Sequence, residues 1–293
     1  GCAAACGGAL AARGALARTP PPAPLELRRE LDDVLLRLGG SNPSGVLFWA
    51  LAQMRDTGRI AEDARDPATV ADALEARAIA VQREDIGRCW RIGQHGAGLV
   101  PDRCAVLTFG NAGARASGGH GTALGILRSA RRLGRRPRVV VCETRPLLLG
   151  ARLTAWELIR EGFDVTIIPD GAAAAMLRRG DIGCVLVGAD RLAVNGDVIA
   201  HVGTYALALA ATTAQIPFYV ATQAAAIDLD LACGGDAAIE EHDGTKLLAP
   251  VAPHGALSRY PIQDITPAAL ISALISETGV ARPPFSHAFR TAD

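Results

Sequence analysis

Aromatic residues are scarce in this chain, at 4% of 293 positions. A hydrophobic share of 49% is still enough for a sizeable core, which must be built mainly from Ala, Leu, Val and Ile. Net charge is lacking too, with 30 basic residues set against 30 acidic ones. That balance gives no reason to expect nucleic acid, an anionic membrane or an acidic partner. No uncharged apolar run reaches the roughly 18 residues of a membrane span, so none is expected. The seven cysteines are odd in number and irregular in spacing. They include no C-x-x-C pair and no Cys/His grouping with zinc-ligand spacing, so no metal centre is expected. Cys2 and Cys6 stand four apart, but nothing follows to complete a site. Most cysteines have apolar neighbours, as in Arg138-Val139-Val140-Val141-Cys142. Buried free thiols in a reducing compartment, the cytoplasm, are the reading.

The opening stretch, 1–16, is rich in Ala and Gly. Arg13 lies inside it and no charged segment precedes it, so it reads as a small-residue helix packed close to a neighbour rather than a signal peptide. The chain does not begin with Met, and a segment further upstream is expected. Pro20-Pro21-Pro22-Ala23-Pro24 should break the first helix. Leu27, Leu31, Val34, Leu35 and Leu38 then share one helical face, and Gly39-Gly40-Ser41-Asn42-Pro43 ends that helix. Further helices are expected over 46–54 and from Asp66-Pro67 to about Ile92. Residues 1–98 are therefore expected to form a mostly helical N-terminal domain. Over 99–293 the pattern changes. Short β-rich runs at 105–109, 139–142, 165–168, 184–187 and 218–221 alternate with helical stretches at 121–133, 150–162, 172–179 and 199–214. Such alternation implies a Rossmann-like α/β domain, a parallel sheet covered by helices on both faces.

Open parallel sheets bind ligands beyond the carboxyl ends of their strands. The residues there are Gly110-Asn111-Ala112-Gly113, Glu143-Thr144-Arg145-Pro146, Pro169-Asp170-Gly171, Gly188-Ala189-Asp190-Arg191 and Thr222-Gln223. Asp190, at the mouth of the sheet, could move a proton if partial burial lifts its pKa, or could cap a turn or pair with Arg191. Glu143 and Arg145 could bridge each other or orient a ligand. Ser117-Gly118-Gly119-His120-Gly121-Thr122 leads into a helix. It is either an anion cradle or a tight turn, and it matches neither a Walker loop nor a dinucleotide fingerprint, so no cofactor is implied. His120 could serve as a general acid or phosphate donor, or as an ordinary capping residue. His201 could point to the same mouth. The arginines at 128, 131, 132, 135, 136 and 138 read as a cationic helix end and a solvated turn rather than a nucleic-acid surface.

Longer motifs carry a family resemblance. They are Asn111-Ala112-Gly113, Gly121-Thr122-Ala123-Leu124-Gly125, Glu143-Thr144-Arg145-Pro146, the run from Gly150 to Leu158, Gly188-Ala189-Asp190-Arg191 and Asn195-Gly196-Asp197. Gly203-Thr204-Tyr205, Ile216-Pro217-Phe218-Tyr219-Val220-Ala221 and Arg282-Pro283-Pro284-Phe285 follow in the same order. With a weaker match back to Phe48-Trp49-Ala50-Leu51, the chain resembles the methylthioribose-1-phosphate isomerase family, which shares its fold with regulatory subunits of the eukaryotic initiation-factor nucleotide exchanger. The resemblance implies an aldose-to-ketose conversion by proton transfer, a cysteine–aspartate acid–base pair, a homodimer, and sugar-phosphate contacts that include Arg152 and Asn195. Asp190 matches the aspartate.

The cysteine does not match. Where the family reads Thr-His-Cys-Asn-Ala-Gly, this chain reads Thr108-Phe109-Gly110-Asn111-Ala112-Gly113. Cys104 lies six residues earlier, about 20 Å along an extended strand, which leaves Cys142 as the better substitute. Leu149 replaces a family glutamine, Ala200-His201 an Asn-Lys pair and Asn42 an arginine. Leu149 and Ala200 cannot donate hydrogen bonds, and each lost charge-assisted phosphate contact costs on the order of a few kcal/mol. The expectation is a diverged protein of the isomerase fold, acting through Asp190 on a different small polar ligand, a sugar or sugar phosphate. A non-catalytic binding or regulatory protein of the same fold is the alternative.

Overall fold

The computed structural model describes residues 2–18, 23–40, 44–60, 66–248 and 251–285. The prolines at 20–22 and residues 41–43, Asn42 among them, lie outside the described residues. The chain divides into two units, residues 1–88 and 89–293.

The first unit is helical. It contains α1 (Cys2–Leu16), α2 (Pro24–Gly39), α3 (Gly45–Ile60) and the greater part of α4 (Pro67–Ala97). Leu27, Leu31, Leu35, Met54 and Leu74 form its centre, with Ala5, Ala9 and Ala12 added at helical spacing from α1. A Cβ at Gly8 would lie 3.3 Å from the Leu35 side chain, so the small residue sets how closely α1 approaches α2.

The second unit is built on β1 (Ala105–Thr108), β2 (Arg138–Cys142), β3 (Val165–Ile168), β4 (Ile182–Gly188), β5 (Arg191–Ala193), β6 (Val198–His201), β7 (Phe218–Ala221), β8 (Ile227–Asp228), β9 (Glu241–Asp243), β10 (Arg259–Pro261), β11 (Gln263–Thr266), β12 (Ala273–Ser276) and β13 (Gly279–Ala281). Its helices are α5 (Ala123–Arg132), α6 (Ala155–Arg160), α7 (Ala173–Arg178), α8 (Thr204–Thr213) and α9 (Thr245–Leu248). The main sheet has the order β13-β12-β7-β4-β1-β2-β3, parallel throughout except for the β12–β13 pair. Leu107, Val140 and Val185 are buried in one core with Leu177 of α7 and Leu207 of α8. Val106, Val139, Val141 and Cys184 are buried in another with Ile126 of α5 and Leu158 of α6. Alternate residues thus face opposite helix layers, and each buried Val or Leu contributes about 1.5–3 kcal/mol. Near-continuous apolar runs are the sequence form of that two-sided burial.

β1 is central. The chain moves outward through β2 and β3 on one side and through β4, β7 and β12 on the other. The order therefore reverses between β1 and β4, and a crevice opens at their carboxyl ends.

One expectation is corrected. A helix over 199–214 begins only at Thr204, because Val198–His201 forms β6. That segment pairs antiparallel with both β5 and β11 in a second sheet, β11-β6-β5-β8. Gly203, at φ +108°, turns the chain from strand to helix. Among the described residues no helix is long and apolar enough to cross a membrane.

Candidate functional site

The reversal between β1 and β4 brings two strand-end turns together. A Cβ at Gly188 would lie 2.6 Å from the Ala112 Cβ, so the turn after β4 rests directly on the turn after β1. Gly110 has φ +74°, and a Cβ there would meet nothing within 4 Å. Its N–H donates to Thr144 Oγ1 at 2.9 Å, and its carbonyl accepts from Thr154 Oγ1 at 2.6 Å. The Asn111 amide also donates to Thr154 Oγ1, at 3.1 Å. Gly110 therefore offers open space and a left-handed backbone, but no proton carrier.

Asp190 lies deep among protein atoms while keeping some exposed surface, the combination that a ligand-reachable acid needs. Burial raises its pKa; a hydrogen bond from Gln263 and the charge of His201 oppose this, and the upward direction prevails. Gln263 Nε2 donates to Asp190 Oδ2 at 2.7 Å. Arg191 is not the partner of Asp190, because it pairs with Asp228. Gln263, buried and 73 residues away in the chain, had no signal in the sequence: it begins a four-residue strand and ends none.

The β6–α8 turn forms another wall. Ala200 is buried, and the half-buried His201 has Nδ1 3.1 Å from the Val202 carbonyl. The Phe109 ring meets the imidazole edge-on at 5.9 Å. Asp264, next to Gln263, caps α8 by accepting from Gly203 N at 2.6 Å and Tyr205 N at 3.1 Å. Burial lifts its carboxyl to about 6 against those two bonds.

Beyond β2, Cys142 is buried, and its thiol is pushed up to about 12 by burial, with Asp170 and Glu143 adding to the effect. It is a neutral thiol rather than a thiolate base. Asp170 holds the next turn, accepting from Thr144 N at 2.8 Å and Arg145 N at 2.6 Å. Glu143 is half-buried and Arg145 is exposed, and no bridge joins the two side chains among the described residues. Leu149 precedes a π-helical turn, Gly150–Thr154, on which Arg152 is exposed. A Cβ at Gly150 would lie 1.8 Å from the Cys142 carbonyl oxygen, so only glycine fits there.

Other named residues hold the frame. Gly113 is followed by a loop whose Ala114 and Arg115 N–H groups donate to Glu157, at 2.8 and 3.1 Å. Glu157 is buried and paired with Arg128 at 2.9 Å, and Arg128 also bridges Glu161 at 2.6 Å and donates to the His120 carbonyl. His120 stacks on Trp90 with centroids 4.1 Å apart. Its pKa is lowered to about 4, by burial first and then by Arg128 and Arg132. A neutral, packed imidazole is therefore what stands there at neutral pH. Asn195 is an exposed turn residue whose amide donates to Asp197 at 2.9 Å.

A cavity of about 310 Å³ lies against the same turns, lined by Phe109, Cys142, Asp170, Ala173, Gly203 and Leu207 among others. It is almost entirely apolar, and Asp190 does not line it. Asp190 stands outside this cavity, at the turn after β4.

A family model described as "Initiation factor 2 subunit family" matches residues 5–283. The chain belongs to that family. Within it, the methylthioribose-1-phosphate isomerase of Chloroflexus aurantiacus is 45% identical over 296 residues, which is 99% of this chain and 84% of the relative. The enzyme of the same name from Anaeromyxobacter sp. strain K is 47% identical, over 91% of this chain and 76% of the relative. Among solved structures, the 5-methylthioribose 1-phosphate isomerase of Pyrococcus horikoshii aligns with a TM-score of 0.85 and 32% identity, covering 97% of this chain and 80% of that one. Translation initiation factor eIF-2B, subunit delta, from A. fulgidus aligns at 0.80 and 35%, covering 97% and 82%. The relatives with the isomerase name support an isomerase of this family.

Proposed function

We propose that this protein is an aldose–ketose isomerase that has kept the family's acid and changed its ligand. Asp190 would donate a proton to an oxygen of a small sugar-type molecule seated at the β1–β4 crevice. One observation carries the reading: burial shifts the Asp190 carboxyl toward the neutral form while the residue stays reachable, and Gln263 occupies its Oδ2. The amide leaves Oδ1 to carry the proton.

The change of ligand is supported by the site's losses. Gly110 supplies no side chain, and neither Leu149 nor Ala200 can donate a hydrogen bond to a phosphate. A sugar without a 1-phosphate suits this site better than methylthioribose 1-phosphate. The same reading has the protein work as a homodimer in the cytoplasm. The family resemblance supports the dimer, and thiols without a disulfide such as Cys142 and Cys184 support the reducing compartment.

Incubation of the purified protein with aldoses, phosphorylated and not, followed by NMR, tests the proposal. Conversion of an aldose lacking a 1-phosphate is expected, with Asp190→Asn slower by roughly 10²-fold or more. Turnover of methylthioribose 1-phosphate at ordinary enzyme rates would sink the change of ligand. Binding without turnover of any sugar would instead favour a non-catalytic binding protein, which the missing side chain at Gly110 and the neutral Cys142 thiol would then explain.

A further inference from the structure

We propose that His201 is the second proton carrier of this site, the base that works opposite Asp190. The inference rests on the isomerase reading above. Shifting a carbonyl between neighbouring carbons needs one group to take the carbon-bound proton and another to serve the oxygens. Gly110 has no side chain to offer, and Cys142 is a buried neutral thiol.

His201 is placed and polarised for the task. It ends β6, where its cross-strand partner on β11 is Gln263, the residue whose amide holds Asp190 Oδ2. The acid and the imidazole therefore flank one shared neighbour, closely enough for the charge of His201 to act on Asp190. The acid that the charge of His201 reaches, Asp190, is displaced toward the neutral form by burial. The Val202 carbonyl, 3.1 Å from Nδ1, can only accept, so the neutral ring carries its hydrogen on Nδ1. That fixes Nε2 as the atom with a free lone pair. Among the described residues Nε2 has no hydrogen-bond partner. The Phe109 ring stands edge-on to the imidazole at 5.9 Å, and His201 is half-buried.

The step balances without any further reactant. For an open-chain aldose, Nε2 takes the proton from C2 while Asp190 gives its own proton to the carbonyl oxygen on C1. The C2–H electron pair becomes the C1=C2 bond of a neutral enediol. The imidazolium then returns its proton to C1, where the π pair forms the new C–H bond. Asp190, now a carboxylate, takes the proton from the hydroxyl on C2. A ketone stands at C2, and both side chains are restored.

The experiment compares wild type, His201→Gln and Asp190→Asn in D2O with the aldose that wild type converts. Glutamine retains a donor for the Val202 carbonyl and cannot act as a base. His201→Gln is expected to lose both turnover and deuterium incorporation by on the order of 10²–10⁴-fold. The thermal shift given by the sugar should persist, and added imidazole should restore rate in proportion to its concentration. Turnover within about threefold of wild type would overturn the role of His201 while leaving the isomerase reading intact. Loss of the sugar's thermal shift together with the rate would place His201 in binding and also overturn the proposal. If wild type neither converts nor exchanges any sugar, the isomerase reading falls and takes His201 with it.

Discussion

Two carboxyl groups and one thiol show how position alone sets chemistry here. Asp190, Asp264 and Cys142 are all shifted toward the neutral form by burial, but only Asp190 combines that with a fixed amide partner and access to the crevice. Alkylation followed by mass spectrometry should therefore label Cys6, Cys104 or Cys233 well before Cys142 at pH 8, because a thiol held near 12 is almost wholly protonated there. Faster modification of Cys142 would show that it is a usable nucleophile and would reopen its candidacy for the place of the missing cysteine. Asp264 gives a pH prediction of definite sign. Its folded pKa of about 6 lies above the ordinary carboxylate value, so its contribution is fully present at low pH and is lost as pH rises from about 4 through 6. Thermal melts across that window should show wild type losing stability relative to Asp264→Asn, by on the order of 3 kcal/mol at most. Parallel curves would place the acid in a more solvated setting. The sequence made Asp190 visible because it follows an apolar strand. It could not make Gln263 visible, since a contact spanning 73 residues leaves no local pattern.

Elements here are positioned by a few buried polar anchors. Glu157 on α6 holds the loop after β1 and is itself held by Arg128 of α5. Glu157→Gln should destabilise the fold by about 3 kcal/mol, because Arg128 would keep only the more exposed Glu161 as a charged partner. Denaturant unfolding measures this, and a loss below about 0.5 kcal/mol would mean that the loop is held by other contacts. Five strands of the main sheet, β1, β2, β3, β4 and β7, were legible as short apolar runs, whereas β12 and β13 at its edge were not. β5, β6, β8 and β11 were not, for a definite reason. β5, β8 and β11 carry no continuous apolar run of their own, and β6 runs almost directly into α8, so strand and helix merge into one apolar stretch. The strand becomes distinguishable only through its partners β5 and β11, and those pairings are tertiary.

At the scale of the molecule, the order reversal between β1 and β4 lies at the middle of the main sheet. β1 and β4 have strand neighbours on each side and helix layers above and below, so their amides should exchange with solvent last. The β9–β10 pair, largely exposed and only two strands wide, should exchange among the first. Hydrogen exchange read by mass spectrometry decides this, and early exchange of β1 would contradict a sheet-centred core. The sequence pattern changes near residue 98, whereas the structure divides after Arg88, within α4. A continuous helix gives no composition break at the residue where its packing partners change.

The hydrogen bond from Gln263 to Asp190 also bears on the order in which a ribosome delivers this chain. β1 to β4 and the turn that carries Asp190 precede β11 in the chain, and the amide that holds its Oδ2 arrives 73 residues later. A nascent chain halted before β11 would thus have its carboxylate at the crevice without a directed proton. On the proposed isomerase reading, the site would gain its directed acid only once β11 had been made and paired.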